Sequence, residues 1–175
     1  DVTNLSLPVS PLEDFDNADT YSCKFWGLGG DGTVGANHNT IRILGDCADL
    51  FAQAYFEYDS KKSFGVTKSH LRLSKKPIRS TYYVKRANFV ACHNQSYVRQ
   101  YDMVQEVKPG GTFLLNTGWT AEELDANLPG AMKRYIASNG IRLFTVDAVE
   151  IAQRVGLGSH INTVLQAAFF KIAGL

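Results

Sequence analysis

A glycine-rich loop between an apolar segment and a helical one is the feature that most constrains how this chain can fold. Residues 25–37 read FWGLGGDGTVGAN, and Gly27, Gly29 and Gly32 satisfy the spacing G-x-G-x-x-G. That spacing lets a backbone approach a phosphate where a strand ends and a helix begins. The loop therefore predicts a strand–turn–helix unit that binds a phosphorylated ligand, with a tight turn that binds nothing as the alternative.

Composition narrows the class of protein. The chain has 175 residues, of which 45% are hydrophobic and 20% charged, as in one soluble globular domain. A net charge of +1 provides no field for binding nucleic acid, and no apolar run is long enough to span a membrane. The first residues do not form a signal peptide, and the missing initiator methionine predicts a chain cut from a longer one.

The cysteines and histidines indicate no metal site. Cys23, Cys47 and Cys92 are odd in number and widely spaced, which predicts neither a disulfide framework nor a zinc or iron–sulfur site. We therefore expect a reducing, cytoplasmic compartment, with Cys23 and Cys92 as buried thiols. For His93 and Asn94, at the end of a predicted strand, a capping or structural role is favoured over ligand contact. No catalytic residue is predicted.

Strand and helix patterns alternate along the chain. They predict an α/β fold with a mainly parallel, Rossmann-like sheet, flanking helices and an antiparallel β insertion around residues 63–86. Residues 1–20 are predicted to be a linker or arm, and residues 21–175 a single domain. The predicted strands cover residues 21–28, 52–58, 63–73, 78–85, 88–93, 112–116 and 142–146; the predicted helices cover 33–44, 95–103, 131–139, 147–155 and 161–173, with a capping box from Thr120 to Glu123 that begins another.

Two segments carry more specific expectations. Residues 52–58 are bulky and almost continuously apolar, which predicts a parallel strand buried on both faces. Residues 63–73 alternate, which predicts a strand with one face in water, and residues 78–85 are predicted to pair with it. Helix 33–44 is expected to bury Val34, Ile41 and Leu44 and to stop at Gly45.

The end of the second predicted strand allows two kinds of nucleotide ligand. Asp59 follows that strand, where an acidic residue would hold a ribose of NAD. Lys61 and Lys62 come directly afterwards and favour a ligand that carries an additional phosphate, unless they form only a solvated turn.

Five ordered blocks resemble the gamma domain of pyruvate:ferredoxin (flavodoxin) oxidoreductases, over about residues 21–174. The blocks are GLGGDGTVGANHNTIRILGD (27–46), YDSKKSFGVTKSHLRLSKKPIRS (58–80), VACHN with YDM (90–94 and 101–103), KPGGTFLLN (108–116) and INTVLQAAFFKIAG (161–174). The resemblance implies an enzyme that oxidatively decarboxylates pyruvate, or another 2-oxoacid, to acetyl-CoA and CO₂ and passes electrons to ferredoxin or flavodoxin.

The resemblance also implies how the cofactors and partners are divided. Coenzyme A is expected at this domain, whereas thiamine diphosphate, Mg²⁺ and [4Fe–4S] clusters are expected in other domains or subunits of a homodimeric, cytoplasmic parent. The isolated domain is expected to be inactive. The expected coenzyme A contacts are Gly29, Gly30, Asp31, Gly32 and Thr33 around the pyrophosphate, and Lys61, Lys62 and Ser63 after the second strand.

Within that site, backbone N–H groups of the glycine loop suit the pyrophosphate, and Lys61 or Lys62 suits the 3′-phosphate. Asp31 is unsuited to a phosphate, so a hydrogen bond to the pantetheine, a ribose or the turn is expected. Two alternatives remain: a dinucleotide-binding dehydrogenase domain, and a purely structural domain such as that of a sulfite-reductase-type relative.

Overall fold

The computed structural model describes residues 3, 19–47, 49–60 and 64–175 of the chain. These residues form six strands, five α-helices and two short 3₁₀ helices, the latter at Gln95–Arg99 and Met103–Glu106. The strands are β1 (Thr20–Leu28), β2 (Phe51–Tyr58), β3 (Val66–Ser74), β4 (Ala87–Cys92), β5 (Val107–Asn116) and β6 (Arg142–Val146). The helices are α1 (Thr33–Cys47), α2 (Ala121–Asn127), α3 (Gly130–Ser138), α4 (Ala148–Arg154) and α5 (Ile161–Ala173).

The strands form one sheet in the order β2-β3-β1-β4-β5-β6. The pairs β1–β4, β4–β5 and β5–β6 are parallel, whereas β3 runs antiparallel to both β1 and β2. All of these strands except β3 therefore point the same way. The structure confirms the mainly parallel α/β fold with an antiparallel insertion.

The prediction for β2 was wrong about its position. This strand lies at the edge of the sheet and pairs antiparallel with β3, with Tyr55 opposite His70, and its residues are at most half-buried. The place beside β1 that a buried parallel strand would take is occupied by β3. Bulky, apolar residues occur both in central strands and, as here, in an edge strand that has one neighbouring strand. Their apolar character therefore did not reveal that β2 lies at the edge of the sheet.

Residues 78–85 do not form the predicted strand. Their carbonyl groups accept hydrogen bonds from side chains of the sheet instead of from a strand ladder. Gln53 Nε2 donates to the carbonyl of Ser80 at 2.7 Å, and Arg72 Nη1 donates to that of Tyr82 at 2.8 Å. These hydrogen bonds hold the segment over the face of β3 that was predicted to lie in water. His70 and Arg72 on that face are therefore each only 1% exposed.

Two helical predictions also need correction. Helix α1 continues past Gly45 to Cys47. Of the residues predicted to be buried, Leu44 is confirmed, whereas Val34 and Ile41 are only half-buried. The other buried residues of the helix are polar: Thr33, Asn37 and Thr40. Two of these polar side chains have partners on other elements: Gln166 Nε2 of α5 donates to Thr40 Oγ1 at 2.8 Å, and Thr33 Oγ1 lies 2.7 Å from His93 Nδ1. The helix predicted over residues 95–103 is replaced by the two 3₁₀ helices. The capping box from Thr120 to Glu123 is confirmed.

The sheet separates two apolar clusters. One contains Trp26, Val90, Cys92, Phe113 and Leu115, beneath α2, α3 and the 3₁₀ helices, and the other contains Cys23, Phe25, Phe89, Leu114 and Phe169, beneath α1 and α5. The buried thiols predicted for Cys23 and Cys92 are confirmed, and burial raises the pKa of Cys92 to about 12. Among the helices in the described part of the chain, none has the length and apolar character needed to cross a membrane.

Candidate functional site

The candidate site lies at the carboxyl ends of β1 and β4. From β1 the chain continues to β2 and β3 on one side of this strand, and then returns to β4 on its other side. These two strands are parallel neighbours, and the carboxyl ends of such a pair form a crevice in which open α/β sheets bind ligands. Here the crevice is a cleft of about 420 Å³. The residues that line it end or follow β1, β4, β5 and β6, or begin α5. They are Leu28, Asp31, His93, Asn94, Gln95, Asn116, Thr117, Gly118, Asp147, Val149 and Ile161.

The glycine loop forms one wall of the cleft. Its positions require glycine for two different physical reasons, close packing and a positive φ angle. A Cβ atom on Gly27 would lie 2.6 Å from Thr33 Oγ1, so glycine allows the start of α1 to pack against β1. Gly30 and Gly32 have φ angles of +96° and +83°, which only glycine adopts at little cost. The predicted tight turn between strand and helix is therefore present.

Asp31 stabilises this turn. Its Oδ2 accepts a hydrogen bond from the Leu28 amide at 2.8 Å, and its Oδ1 accepts one from the Thr33 amide at 2.7 Å. Of the roles predicted for Asp31, the structure therefore shows the bond to the turn. The carboxylate also occupies one of the amides that were expected to bind phosphate.

Only part of the predicted phosphate-binding backbone remains open. The Gly29 amide donates to the carbonyl of Gly65 at 2.7 Å, and the Asp31 amide donates to that of Leu28 at 2.9 Å. Within the described ranges, the amides of Gly30 and Gly32 have no acceptor. The loop thus offers an anion fewer donors than its sequence predicts.

His93 links β4 to the start of α1. Its Nδ1 lies 2.7 Å from Thr33 Oγ1, and burial lowers the pKa of the imidazole to about 4, although the nearby Asp31 carboxylate acts in the opposite direction. The ring is therefore neutral near pH 7. Asn116 Nδ2 donates to the carbonyl of His93 at 2.9 Å, which ties the ends of β4 and β5 together. His93 is thus part of the framework of the cleft.

Polar side chains at the next strand ends complete the cleft. Asn94 Oδ1 accepts from the Ser96 amide at 3.1 Å, which agrees with the capping role favoured from the sequence. Thr117 Oγ1 donates to Gln95 Oε1 at 2.6 Å, and Asp147 Oδ1 accepts from the amide at the first turn of α4 at 2.9 Å. Sequence reasoning missed Gln95, Asn116, Thr117 and Asp147. Their signal is that each follows or ends an apolar strand on the same edge of the sheet.

Of the predicted residues after β2, only Asp59 can be placed relative to this cleft. Lys61, Lys62 and Ser63 lie outside the described residues. Asp59 ends β2, but β3 separates β2 from β1, and Asp59 does not line the cleft. In a dinucleotide site the acidic residue ends the strand beside β1. The geometry that the dehydrogenase alternative requires is therefore not reproduced.

Comparison with known proteins agrees with this fold. Residues 22–175 match the model of the family described as pyruvate ferredoxin/flavodoxin oxidoreductase. The whole chain is 55% identical to a pyruvate:ferredoxin oxidoreductase of Moorella thermoacetica, but it spans about 15% of that relative's length. The chain belongs to the pyruvate ferredoxin/flavodoxin oxidoreductase family, as its sequence blocks predicted.

Solved structures share the fold at low sequence identity. A pyruvate oxidoreductase subunit from Thermotoga maritima superposes with a TM-score of 0.67 and 17% identity, covering 89% of this chain and 78% of that subunit. The 2-oxoglutarate:ferredoxin oxidoreductase of Magnetococcus marinus, solved with 2-oxoglutarate, coenzyme A and succinyl-CoA, has a TM-score of 0.65 and 14% identity, covering 88% of this chain and 24% of that one. At these identities, the likeness shows the fold alone.

Proposed function

We propose that residues 21–175 form the coenzyme A-binding gamma domain of a pyruvate:ferredoxin or flavodoxin oxidoreductase, which converts pyruvate to acetyl-CoA and CO₂. The observation that carries the proposal is the pair of left-handed glycines, Gly30 and Gly32, whose amides have no acceptor within the described ranges. They flank Asp31, which lines the cleft at the switch point of the sheet. The coenzyme A present in the Magnetococcus structure, which has the same fold, supports the choice of ligand.

The phosphates are assigned to the glycine loop and the residues after β2. The amides of Gly30 and Gly32 are the donors for the pyrophosphate, held in place by Asp31 and Thr33. Lys61 and Lys62, with Ser63, are assigned to the 3′-phosphate because a charge-assisted bond to a phosphate is stronger than a neutral one.

The redox chemistry is assigned to other parts of the enzyme. Cys23 and Cys92 are buried within strands as protonated thiols, whereas an iron–sulfur cluster binds thiolates. We therefore place thiamine diphosphate, Mg²⁺ and [4Fe–4S] clusters in other domains or subunits of a homodimeric, cytoplasmic enzyme that reduces ferredoxin or flavodoxin. The 175-residue chain alone should not oxidise pyruvate with a dye acceptor, and turnover without added subunits would contradict this assignment.

Calorimetry with three ligands tests the proposal. Coenzyme A should bind the chain more tightly than dephospho-coenzyme A by about 1 kcal/mol, the value of one partly exposed charge contact. Lys62→Ala should remove that difference and leave dephospho-coenzyme A unaffected. Tighter binding of NAD than of coenzyme A would favour a dinucleotide-binding domain, and binding of none of the three would favour the structural alternative.

Gly32→Val tests the glycine loop itself. A Cβ at this position would lie 2.8 Å from Asn162 Nδ2, and the positive φ adds about 1–2 kcal/mol of backbone strain. We expect a folded but less stable chain that no longer binds coenzyme A. Gly35→Ala is the matched control, since a Cβ there meets open space within α1 and should stabilise the helix by about 0.5–1 kcal/mol. Unchanged coenzyme A binding by Gly32→Val would show that the loop is only a turn.

A further inference from the structure

Residues 75–86, which cover the buried face of β3, form a strongly basic segment. This basic segment contains five lysine or arginine residues and no acidic one, although the whole chain has a net charge of only +1. The side chains that carry this charge are all exposed, and they are Lys75, Lys76, Arg79, Lys85 and Arg86. Exposed charges of one sign repel one another, so this surface favours a partner of opposite charge.

One of these cations is neutralised within the described part of the chain. Asp19 forms an ion pair with Lys76. Among the described residues, no other carboxylate lies within ion-pair distance of the basic segment. Arg86 Nη2 donates to the hydroxyl group of Tyr135, which is uncharged. The basic segment therefore has room for further carboxylates.

The start of the chain has the opposite charge. Residues 1–19 contain five acidic residues and no lysine, arginine or histidine. Three of the five, Glu13, Asp14 and Asp16, come shortly before Asp19 in the sequence. Residues 4–18 lie outside the described residues. The two stretches thus carry opposite charges of similar size.

Covalent connection keeps these two stretches close together. Asp19 is held at Lys76, and an extended chain advances at most about 3.6 Å per residue, so Glu13 lies no more than about 22 Å from Asp19. By the same limit, Arg79 lies within about 11 Å of Lys76. The carboxylates of residues 13–16 are therefore confined near the basic segment, at a high effective concentration.

A groove beside the basic segment offers apolar contacts to the same stretch. The groove has a volume of about 510 Å³ and reaches from Asp19 to the end of the chain, where Leu175 is 44% exposed. Its apolar lining consists of Tyr21, Leu50, Leu73, Ala173 and Leu175, and it also includes two cations of the basic segment, Lys75 and Lys76. Residues 4–18 carry apolar side chains at every second or third position, namely Leu5, Leu7, Val9, Leu12 and Phe15. The surface and this stretch are therefore complementary in both charge and apolar character.

We propose that residues 4–18 bind to the basic segment and to the groove beside it. The carboxylates of residues 13–16 pair with the exposed cations, as Asp19 pairs with Lys76, and apolar side chains of the same stretch enter the groove. The basic segment lies over His70 and Arg72, so this binding fastens a cover without regular secondary structure to the sheet. The inference is independent of coenzyme A binding.

Cross-linking of the whole 175-residue chain with a carbodiimide tests the pairing, because this reagent joins a carboxylate to a lysine amine that it contacts. Mass spectrometry should find the acids of residues 13–16 joined to lysines of the basic segment within one chain. Lys133 and Asp125, paired at 2.8 Å, provide the internal control. If the control link forms while the acids are unlinked, or are linked only to other lysines, the proposal is wrong. Links between two chains would assign the acidic stretch to a second copy and would also overturn it.

A double variant, Asp14→Asn with Asp16→Asn, tests whether the pairing protects the basic segment. At about 20 mM salt, trypsin should cleave it after Arg79 and Lys85 about fivefold faster than the unaltered chain, since two exposed ion pairs are lost. At about 0.5 M salt the difference should disappear, because screening weakens exposed pairs. Asp46→Asn, at the exposed end of α1, is the matched control and should leave cleavage unchanged. Equal cleavage of the double variant and the unaltered chain at low salt would contradict the proposal.

Discussion

On one side of β1 the sheet continues through β4, β5 and β6, all parallel, whereas on the other side β3 and β2 pair antiparallel. The parallel side is held by fully buried apolar residues such as Phe89 and Phe113. The antiparallel side instead buries charged or titratable groups on one face of β3, including His70 and Arg72. The parallel side of the sheet thus buries mainly apolar side chains, whereas the antiparallel side also buries charged or titratable ones.

The buried groups of β3 lie against β2 and residues 75–86, where Arg72 is hydrogen-bonded, whereas both ring nitrogens of His70 make no hydrogen bond within the described part of the chain. Arg72 Nη1 donates to the Tyr82 carbonyl and to Gln53 Oε1, and the ring of Tyr83 stacks on His70 with centroids 4.7 Å apart. Burying such groups is costly unless their hydrogen bonds are made. The comparison teaches that the antiparallel side depends on a segment without regular secondary structure, whereas the parallel side depends mainly on apolar packing between its own strands and helices.

The largest effect is expected in the apolar core of the parallel side. Phe113→Ala in β5 should lower the free energy of unfolding by about 3–5 kcal/mol, because it leaves a cavity at a fully buried site. Phe144→Ala on neighbouring β6 is the control, since this ring is 37% exposed and its loss should cost about 1 kcal/mol or less. Urea denaturation measures both. Equal losses would show that packing on this side is not concentrated at β5.

A smaller effect is expected when the antiparallel side loses its central cation. Arg72→Met should cost about 1–3 kcal/mol, because the Tyr82 carbonyl and Gln53 lose their donor. It should also speed tryptic cleavage after Arg79 and Lys85, since the segment that contains them is no longer pinned. Arg42→Met, whose side chain is 84% exposed, should change neither measurement. Unchanged cleavage in Arg72→Met would mean that other contacts hold the segment.

Measured over one pH unit, the smallest expected effect is a pH dependence from His70. Burial, and to a lesser degree the Lys24 charge, lowers its pKa to about 4 from the ordinary 6.5, although Glu57 opposes the shift. The unfolded chain therefore binds a proton first as the pH falls. The free energy of unfolding should decrease between pH 6.5 and 4, by at most about 1.4 kcal/mol per pH unit for this group. His70→Gln should flatten the dependence, and an unchanged slope would contradict the assignment.

Much of the fold was predictable because its signals are local. Strand 142–146 and helix 161–173 have the predicted bounds, and the capping box at Thr120 is present. The turn at residues 29–32 was predictable for the same reason, since positive φ angles require glycine. The order of the strands was not, because alternation in residues 63–73 shows which side chains share a face but not which strand lies beside them.

The candidate site divides in the same way. The glycine loop and Asp31 are recognisable from sequence, since their bonds join residues at most a few positions apart. Gln95, Asn116 and Asp147 come together only because parallel strands end at one edge of the sheet. Each follows or ends an apolar strand, but nothing near them in the chain shows that these strands are neighbours, so the polar cleft emerges only after the strands are placed.

By itself, the sequence determined the family, the α/β class and the strand–turn–helix unit at residues 25–37, because these depend on local patterns of glycine, apolar and capping residues. The tertiary structure alone decided that β3 lies between β2 and β1, and that residues 75–86 bury His70 and Arg72. The physical reason is that pairing and burial depend on which surfaces of the whole chain meet. A short stretch of sequence specifies its own faces, but not what will cover them.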